Sequence, residues 1–193
     1  MEPEVAAAPD EPVATATEPG RGVRNTIEWV AIVVGAFAVA LVVKTFLIQA
    51  FYIPSESMFP TLTEDDRVLV NKLSYRLHDV RRGDLVVFER PPSEPDSTIK
   101  DLIKRVVALE GETIEERDGE LYIDGRRLEE PYLEDGVESR NLTPTTVPEG
   151  HVFVMGDNRG ASRDSRFFGP IDTELIVGRA FVQVWPVPDL ELL

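Results

Sequence analysis

Two serines in the segment over residues 54–60 are candidates for nucleophilic chemistry. Proline at both ends of this segment disfavours helical backbone in each preceding residue, so Ser57 is predicted in a short irregular turn that exposes its hydroxyl. A serine hydroxyl is a weak nucleophile at neutral pH, and hydrolysis also needs a nearby base and donors for the oxyanion. The segment therefore predicts a hydrolytic site only if another part of the chain supplies that base.

Lys104 is the strongest candidate for the base. If residues 100–109 form a strand, the period of two puts Leu102, Val106 and Ala108 on the same face as Lys104. Burial among apolar side chains disfavours the ammonium and lowers a lysine pKa by up to about 3–5 units. An amine that is neutral near physiological pH can then act as a general base.

Other basic residues are weaker candidates. Arg105 stays protonated and lies on the opposite strand face, and Lys100 lacks flanking apolar neighbours on both sides. The chain has 2 histidines, His78 and His151, and neither lies beside a recognisable orienting acid. The strand pattern by itself also allows Lys104 to be a salt-bridged or snorkelling lysine without a catalytic role.

A third polar segment follows the apolar run that ends near residue 155. In this segment Ser162 could form a hydrogen bond with the lysine amine and orient it. Asp164 and Arg166 could form an ion pair that holds the loop. The alternative interpretation is a solvated hairpin loop with no chemical role.

Composition excludes several classes of function. The chain of 193 residues has a formal charge of -15, which argues against a nucleic-acid surface, because phosphate binding requires a basic face. There are 0 cysteines, so disulfides, thiolate metal sites and a cysteine nucleophile are all excluded. We expect no cofactor and no metal.

The N-terminal part predicts a membrane anchor. Residues 1–24 are polar, acidic and rich in Ala and Pro, and they are predicted to form a disordered tail. Residues 29–53 carry a single formal charge, Lys44, and about 20 apolar residues suffice to cross a bilayer, so one transmembrane helix is predicted over 25–50. Arg21 and Arg24 favour a cytoplasmic N-terminus.

The remaining residues, 51–193, are predicted to form one catalytic domain of mainly antiparallel β structure. Short apolar runs alternate with turn residues, and Asp118-Gly119 and Asp124-Gly125 are dipeptides typical of tight hairpins. Residues 112–128 predict a three-stranded meander, whose charge indicates a solvent-facing cap within a region of about 112–148.

Four segments together resemble the conserved boxes of bacterial type I signal peptidases, in the same order. They lie next to the predicted anchor and comprise residues 54–62, 82–88, 101–111 and 156–166. The resemblance implies a Ser-Lys dyad on the mainly β fold shared with the self-cleaving repressors of the SOS response.

Carried over residue by residue, the resemblance implies that Ser57 is the nucleophile, Lys104 its base and Ser162 the residue that orients the lysine. Ser55 would join the Ser57 amide in the oxyanion hole. The same resemblance assigns Asp164 and Arg166 to a supporting ion pair. It assigns the substrate pockets to Ile53, Pro54, Met58, Leu102 and Ile103.

The implied function is removal of N-terminal signal peptides from secreted precursors, with cleavage after small residues. The implied partners are these precursors and the lipid bilayer, with the enzyme in the plasma membrane and its catalytic domain on the extracytoplasmic side. Two alternatives stay open: a self-cleaving Ser-Lys regulator, for which a DNA-binding helix pair would be expected, and a non-enzymatic, membrane-anchored β module that binds a partner.

Overall fold

A computed structural model of the chain describes residues 21–94 and 99–193. Residues 1–20 of the predicted tail therefore lie outside the described residues, as does part of the connector that follows residue 91. The chain divides into two compact units between Leu41 and Val42.

The second unit is built mainly from short strands. The helices of the two units together are α1 (Arg21–Val42), α2 (Ser74–Leu77) and α3 (Ser165–Phe168). The strands are β1 (Ile48–Tyr52), β2 (Arg67–Asn71), β3 (Leu85–Glu89), β4 (Asp101–Ala108), β5 (Thr113–Arg117), β6 (Glu120–Ile123), β7 (Arg126–Arg127), β8 (Thr145–Thr146), β9 (His151–Met155), β10 (Ile171–Asp172), β11 (Ile176–Trp185) and β12 (Glu191–Leu192).

The N-terminal helix is shorter than the helix predicted over 25–50. It ends at Val42, a π-helical turn follows over Val43–Leu47, and the chain then enters β1. Ile48 and Ala50 form no helix because they pair with Asn71 and Leu69 of β2. Within residues 21–94 and 99–193, no helix has both the length and the apolar character needed to cross a membrane.

The main sheet confirms the prediction of mainly antiparallel β structure. Its strands follow the order β1-β2-β11-β3-β4-β9-β10, with β12 paired to β11. Every pairing between neighbours is antiparallel. Because β3 and β9 flank β4 on its two sides, the strand that carries Lys104 lies in the interior of the sheet.

The two faces of this sheet cover separate hydrophobic clusters. In β3, Leu85 and Val87 belong to one cluster, whereas Val86 and Phe88 belong to another. All four are at most 2% exposed, so β3 is buried on both faces. The period of two therefore sorts a continuous apolar run into two layers of core.

Strand β4 departs from simple alternation near its end. Leu102 and Val106 pack in the same cluster, as predicted for one strand face. A register shift between Val106 and Ala108 against β9 breaks the alternation, and Ala108 packs instead in a third cluster. The prediction that Ala108 shares that face with Lys104 is therefore wrong, because a β-bulge changes which face the following residue occupies.

A second sheet is built on two tight hairpins, and its strands follow the order β7-β6-β5-β8. Asp118 and Gly119 both have positive φ, 53° and 84°, and so do Asp124 and Gly125, at 49° and 75°. These are the angles that a two-residue hairpin of the mirror-image type requires, and Asp-Gly is among the dipeptides that adopt them most readily.

The second sheet is part of the core and not a solvent-facing cap. Ile114 and Leu121 are at most 1% exposed and pack with Phe153 and Met155 of β9. The sheet also has four strands where three were predicted, because β8 returns from a distant part of the chain to pair with β5. The charged side chains that suggested a cap are half-buried or exposed, whereas its apolar side chains form the core contact.

We expect that Leu121→Ala lowers the free energy of unfolding by about 2–5 kcal/mol, because it leaves a cavity in a cluster shared by the two sheets. Leu77→Ala is the matched control, since Leu77 is 79% exposed, and should cost less than about 0.5 kcal/mol. Urea unfolding followed by circular dichroism measures both values. Equal, small losses for the two variants would show that the second sheet is not part of the core.

Candidate active site

Ser57 lies in a single 3₁₀ turn, Glu56–Met58. The expected break in regular structure is present, but the serine is only 9% exposed, which differs from the predicted open hydroxyl. The turn is buried because residues 156–166, here called the polar loop, pack against it. Asn158 donates from its backbone to Ser57 O at 3.1 Å and from its side chain to Glu56 O at 3.1 Å.

Lys104 reaches Ser57 across 47 positions of sequence. Its Nζ lies 2.7 Å from Ser57 Oγ and 2.9 Å from the Ile103 carbonyl oxygen, to which it donates. A neutral amine that donates to Ile103 keeps its lone pair for the serine proton, whereas an ammonium would donate to Ser57. The separation lies within the range of about 2.6–3.2 Å that proton transfer requires.

The surroundings of Lys104 favour its neutral form. The side chain is 4% exposed, and burial lowers its pKa from 10.5 to about 8. The carboxylates of Asp164 and Asp157 act in the opposite direction, but they do not cancel the effect of burial. A substantial fraction of the molecules therefore carries a free amine at mildly alkaline pH.

Ser162 differs from its predicted role in one respect. Its Oγ is buried and has no hydrogen-bond partner among the described residues, so the expected bond to the Lys104 amine is not formed. The amine instead uses its contacts with Ser57 and Ile103. Ser162 does contact the site closely, because a Cβ built on Gly156 would lie 2.2 Å from Ser162 Oγ and 2.4 Å from Ser57 O. Only glycine fits at that position.

Asp164 and Arg166 form the ion pair that the sequence predicted. Arg166 donates from Nε and Nη2 to the two carboxylate oxygens at 2.8 and 2.9 Å, and Asp164 is fully buried. Asp164 also accepts from the Gly156 amide at 3.0 Å. The pair thus ties the end of the polar loop to its beginning.

A small cleft of about 50 Å³ opens beside Ser57 and Lys104. Most of the residues predicted to contact substrate or oxyanion line it: Ile53, Pro54, Ser55, Leu102 and Ile103. Ser55 Oγ lies 3.4 Å from Ser57 Oγ. Met58 does not line this cleft, because it is fully buried in the cluster that contains Ile53 and Leu62, so its pocket role stays a prediction.

Sequence reasoning missed a second ion pair next to the dyad. Arg105 was considered only as a base, but it donates to Asp157 from Nε at 2.9 Å and Nη2 at 2.7 Å, and Asp157 also accepts from Thr61 at 2.6 Å. The sequence did indicate this pair, because Arg105 is a charged residue directly before the apolar end of β4. Such a residue needs a buried partner, and Asp157 in the polar segment supplies it.

The two histidines lie elsewhere. His78 and His151 line a larger cleft of about 430 Å³, and that cleft includes neither Ser57 nor Lys104. The smaller cleft is the candidate active site, because Ser57 and Lys104 are in contact there. Among residues 21–94 and 99–193, no group of three His, Cys, Asp or Glu side chains is arranged to hold a metal ion.

Comparison with known proteins gives the same family by a family model and by individual relatives. Residues 26–185 match the family described as signal peptidase, peptidase S26. Signal peptidase I of Leptolyngbya laminosa is 43% identical over 151 residues, which cover 77% of this chain and 74% of the relative. A probable signal peptidase I-2 of Synechocystis sp. is 40% identical over 161 residues, covering 83% of this chain and 73% of the relative.

Among solved structures, a signal peptidase I from Enterococcus faecalis V583 is 32% identical and aligns with 53% of this chain and 97% of its own, at a TM-score of 0.42. The family match spans both segments that form the Ser57–Lys104 contact, and the sequence relatives extend over most of the chain. The chain belongs to the signal peptidase family, the serine proteases that remove signal peptides from secreted precursors.

Proposed function

We propose that Ser57 and Lys104 form the catalytic dyad of this signal peptidase. The observation that carries the proposal is the 2.7 Å contact between Lys104 Nζ and Ser57 Oγ in a buried setting. The lysine pKa of about 8 supports it, because a base is most useful when its pKa lies near the working pH.

In the proposed reaction, Ser57 Oγ attacks the carbonyl carbon of the scissile peptide bond while its proton moves to the neutral Lys104 amine. The tetrahedral intermediate collapses as the ammonium returns this proton to the leaving nitrogen, which yields an acyl-enzyme and a free amine. Water then attacks the ester while Lys104 takes its proton. The ammonium returns this proton to Ser57 Oγ as the bond from Oγ to the acyl carbon breaks and the carboxyl product leaves. In each half of the reaction Lys104 acts once as a base and once as an acid.

The neighbouring polar residues have supporting roles in this proposal. Ser55, 3.4 Å from the nucleophile, would donate with the Ser57 amide to the developing oxyanion. Ser162 would accept a hydrogen bond from Lys104 once that residue becomes an ammonium, since its buried Oγ has no other partner among the described residues. Asp164 and Arg166 would keep the polar loop rigid.

The cleft supports a preference for small side chains next to the cut bond. Its volume of about 50 Å³ leaves room for little more than a methyl group beside the dyad. Its walls are apolar, formed in part by Ile53, Leu102 and Ile103. An extended substrate segment would lie along this cleft and use main-chain hydrogen bonds for most of its affinity.

We also propose that α1 attaches the enzyme to a membrane and that the catalytic unit lies on its extracytoplasmic side. Apolar side chains dominate the exposed surface of this helix, including Trp29, Val33, Phe37 and Leu41, each at least 47% exposed. An exposed apolar surface of this extent is unfavourable in water and favourable in lipid.

We expect Ser57→Ala and Lys104→Met each to abolish cleavage of a purified precursor in detergent, because each removes one partner of the proton transfer. Lys100→Met is the matched control, since Lys100 is an exposed lysine four residues away, and it should cleave normally. Gel analysis of the mature product measures the rates. Normal cleavage by Ser57→Ala would exclude the dyad. Absence of cleavage by the wild type would favour a binding module, and intramolecular cleavage alone would favour a self-cleaving regulator.

Activity should rise with pH through the pKa of Lys104. The folded-state pKa of about 8 means that the base is largely protonated below this pH, so kcat/KM should fall about tenfold for each unit below it and level off above it. A pH series with a precursor peptide measures this, with circular dichroism at each pH to verify folding. A profile that is flat between about pH 6 and 9 would contradict a lysine base.

Membrane attachment can be tested by replacing Val33, Phe37 and Leu41 of α1 with Asp. Full-length protein should sediment with membranes after alkaline carbonate extraction, whereas this triple variant should be released, because burying three carboxylates in lipid is costly. Leu77→Asp, in the catalytic unit, is the control and should sediment. Protease added outside spheroplasts should digest the catalytic unit, because that unit lies on the extracytoplasmic side. Release of the wild-type protein by carbonate would contradict the attachment.

A further inference from the structure

The segment over residues 129–140 contacts the polar loop at two places, and the more buried contact is made by Arg159. Arg159 has a side chain that is only 1% exposed, and Glu130, 11% exposed, binds it with both carboxylate oxygens. Ser139 accepts a further hydrogen bond from the same guanidinium. A buried guanidinium with a two-point carboxylate partner has one strongly preferred orientation.

Arg159 transmits that orientation to the active site. Its Nε donates to the Gly156 carbonyl oxygen at 3.2 Å. The Gly156 backbone lies so close to Ser57 O and Ser162 Oγ that a single added carbon would clash with both. Asn158, two residues on, holds Ser57 O at 3.1 Å. A movement of Gly156 would therefore move the groups that hold the Ser57 turn.

The same segment also covers the second buried arginine. The ring of Tyr132 lies 4.0 Å from the Arg105 guanidinium, and its hydroxyl donates to Glu130 at 2.7 Å. Arg105 in turn holds Asp157, the residue between Gly156 and Asn158. Glu130 is thus connected to both arginines that fix residues 156–158.

We propose that Glu130 is a positioning residue for the reaction: through Arg159 it fixes Gly156 and so keeps the Ser57 turn aligned with Lys104. Glu130 does not line the cleft beside the dyad and acts on the chemistry only through other residues. This inference rests on the proposed dyad for its kinetic consequence, whereas its structural consequence can be measured without activity.

The variant E130Q keeps the size of the side chain and removes its charge. E129Q is the matched control, because Glu129 is the preceding residue, has a side chain that is 83% exposed and pairs with Arg127 at 3.6 Å. Active sites are counted with a serine-reactive label, so that a loss of folded protein is separated from a loss of rate. If E130Q yields no folded protein, E130D, which keeps the charge on a shorter side chain, takes its place.

We expect E130Q to lower kcat per active site by about ten- to a hundredfold, because small misplacements of reacting groups have effects of this size. KM should change by less than about threefold, since the cleft is untouched. E129Q should match the wild type. The double variant E130Q/R159Q should be no slower than R159Q, because the two residues act as one unit. Unchanged kcat in E130Q, or multiplied losses in the double variant, would overturn the proposal.

Amide hydrogen exchange over residues 156–159 gives a readout that is independent of cleavage. It should be faster in E130Q than in E129Q or the wild type, and equal rates would overturn the positioning role whatever the kinetics. If the dyad proposal failed instead, the wild type would lack Ser57-dependent cleavage. The difference in amide exchange between E130Q and E129Q would still be observed.

Discussion

The burial of one amine determines much of this structure. In the proposed dyad, Lys104 needs apolar surroundings to be a base near neutral pH, and the difference between 10.5 and about 8 in its pKa corresponds to about 3 kcal/mol. Because the folded-state pKa is the lower one, this cost is fully present below about pH 8 and disappears above about 10.5, where the amine is neutral in both states. The main sheet offsets the cost by holding β4 between β3 and β9, with apolar clusters on both faces.

The low solvent exposure around Lys104 also requires a partner for each charged side chain buried near it. Arg105, Arg159 and Arg166 each have side chains no more than 10% exposed, and each has a carboxylate partner. A buried charge without such a partner destabilises the fold strongly. The three pairs also lie along the polar loop, which has little regular structure of its own. Ion pairs here supply the rigidity that backbone hydrogen bonds supply in a strand, and a loop held this way can carry a catalytic geometry.

The sequence predicted the strands and the contact between Ser57 and Lys104 better than it predicted their surroundings. The apolar periods of β2, β3 and β9 and the Asp-Gly hairpins follow local rules, and these parts agree with the structure. The bulge after Val106 and the pairing of β8 with β5 depend on contacts between distant segments, which no local pattern encodes. The contact between Glu130 and Arg159 was not predicted for the same reason. In an acidic chain, no local pattern distinguishes this mostly buried glutamate from its exposed neighbours.

In the proposed reaction, Ser162 would respond to the charge of the lysine. A neutral amine has two hydrogens and one lone pair; one hydrogen goes to the Ile103 carbonyl oxygen, and the lone pair faces the Ser57 hydroxyl. When the lone pair takes the Ser57 proton, the second hydrogen belongs to a charged ammonium. The buried Ser162 hydroxyl, which has no hydrogen-bond partner among the described residues, would accept from this hydrogen, and a hydrogen bond from a charged donor is stronger than one from a neutral amine. Because such a bond would strengthen as the charge develops, it would lower the barrier more than it stabilises the resting enzyme.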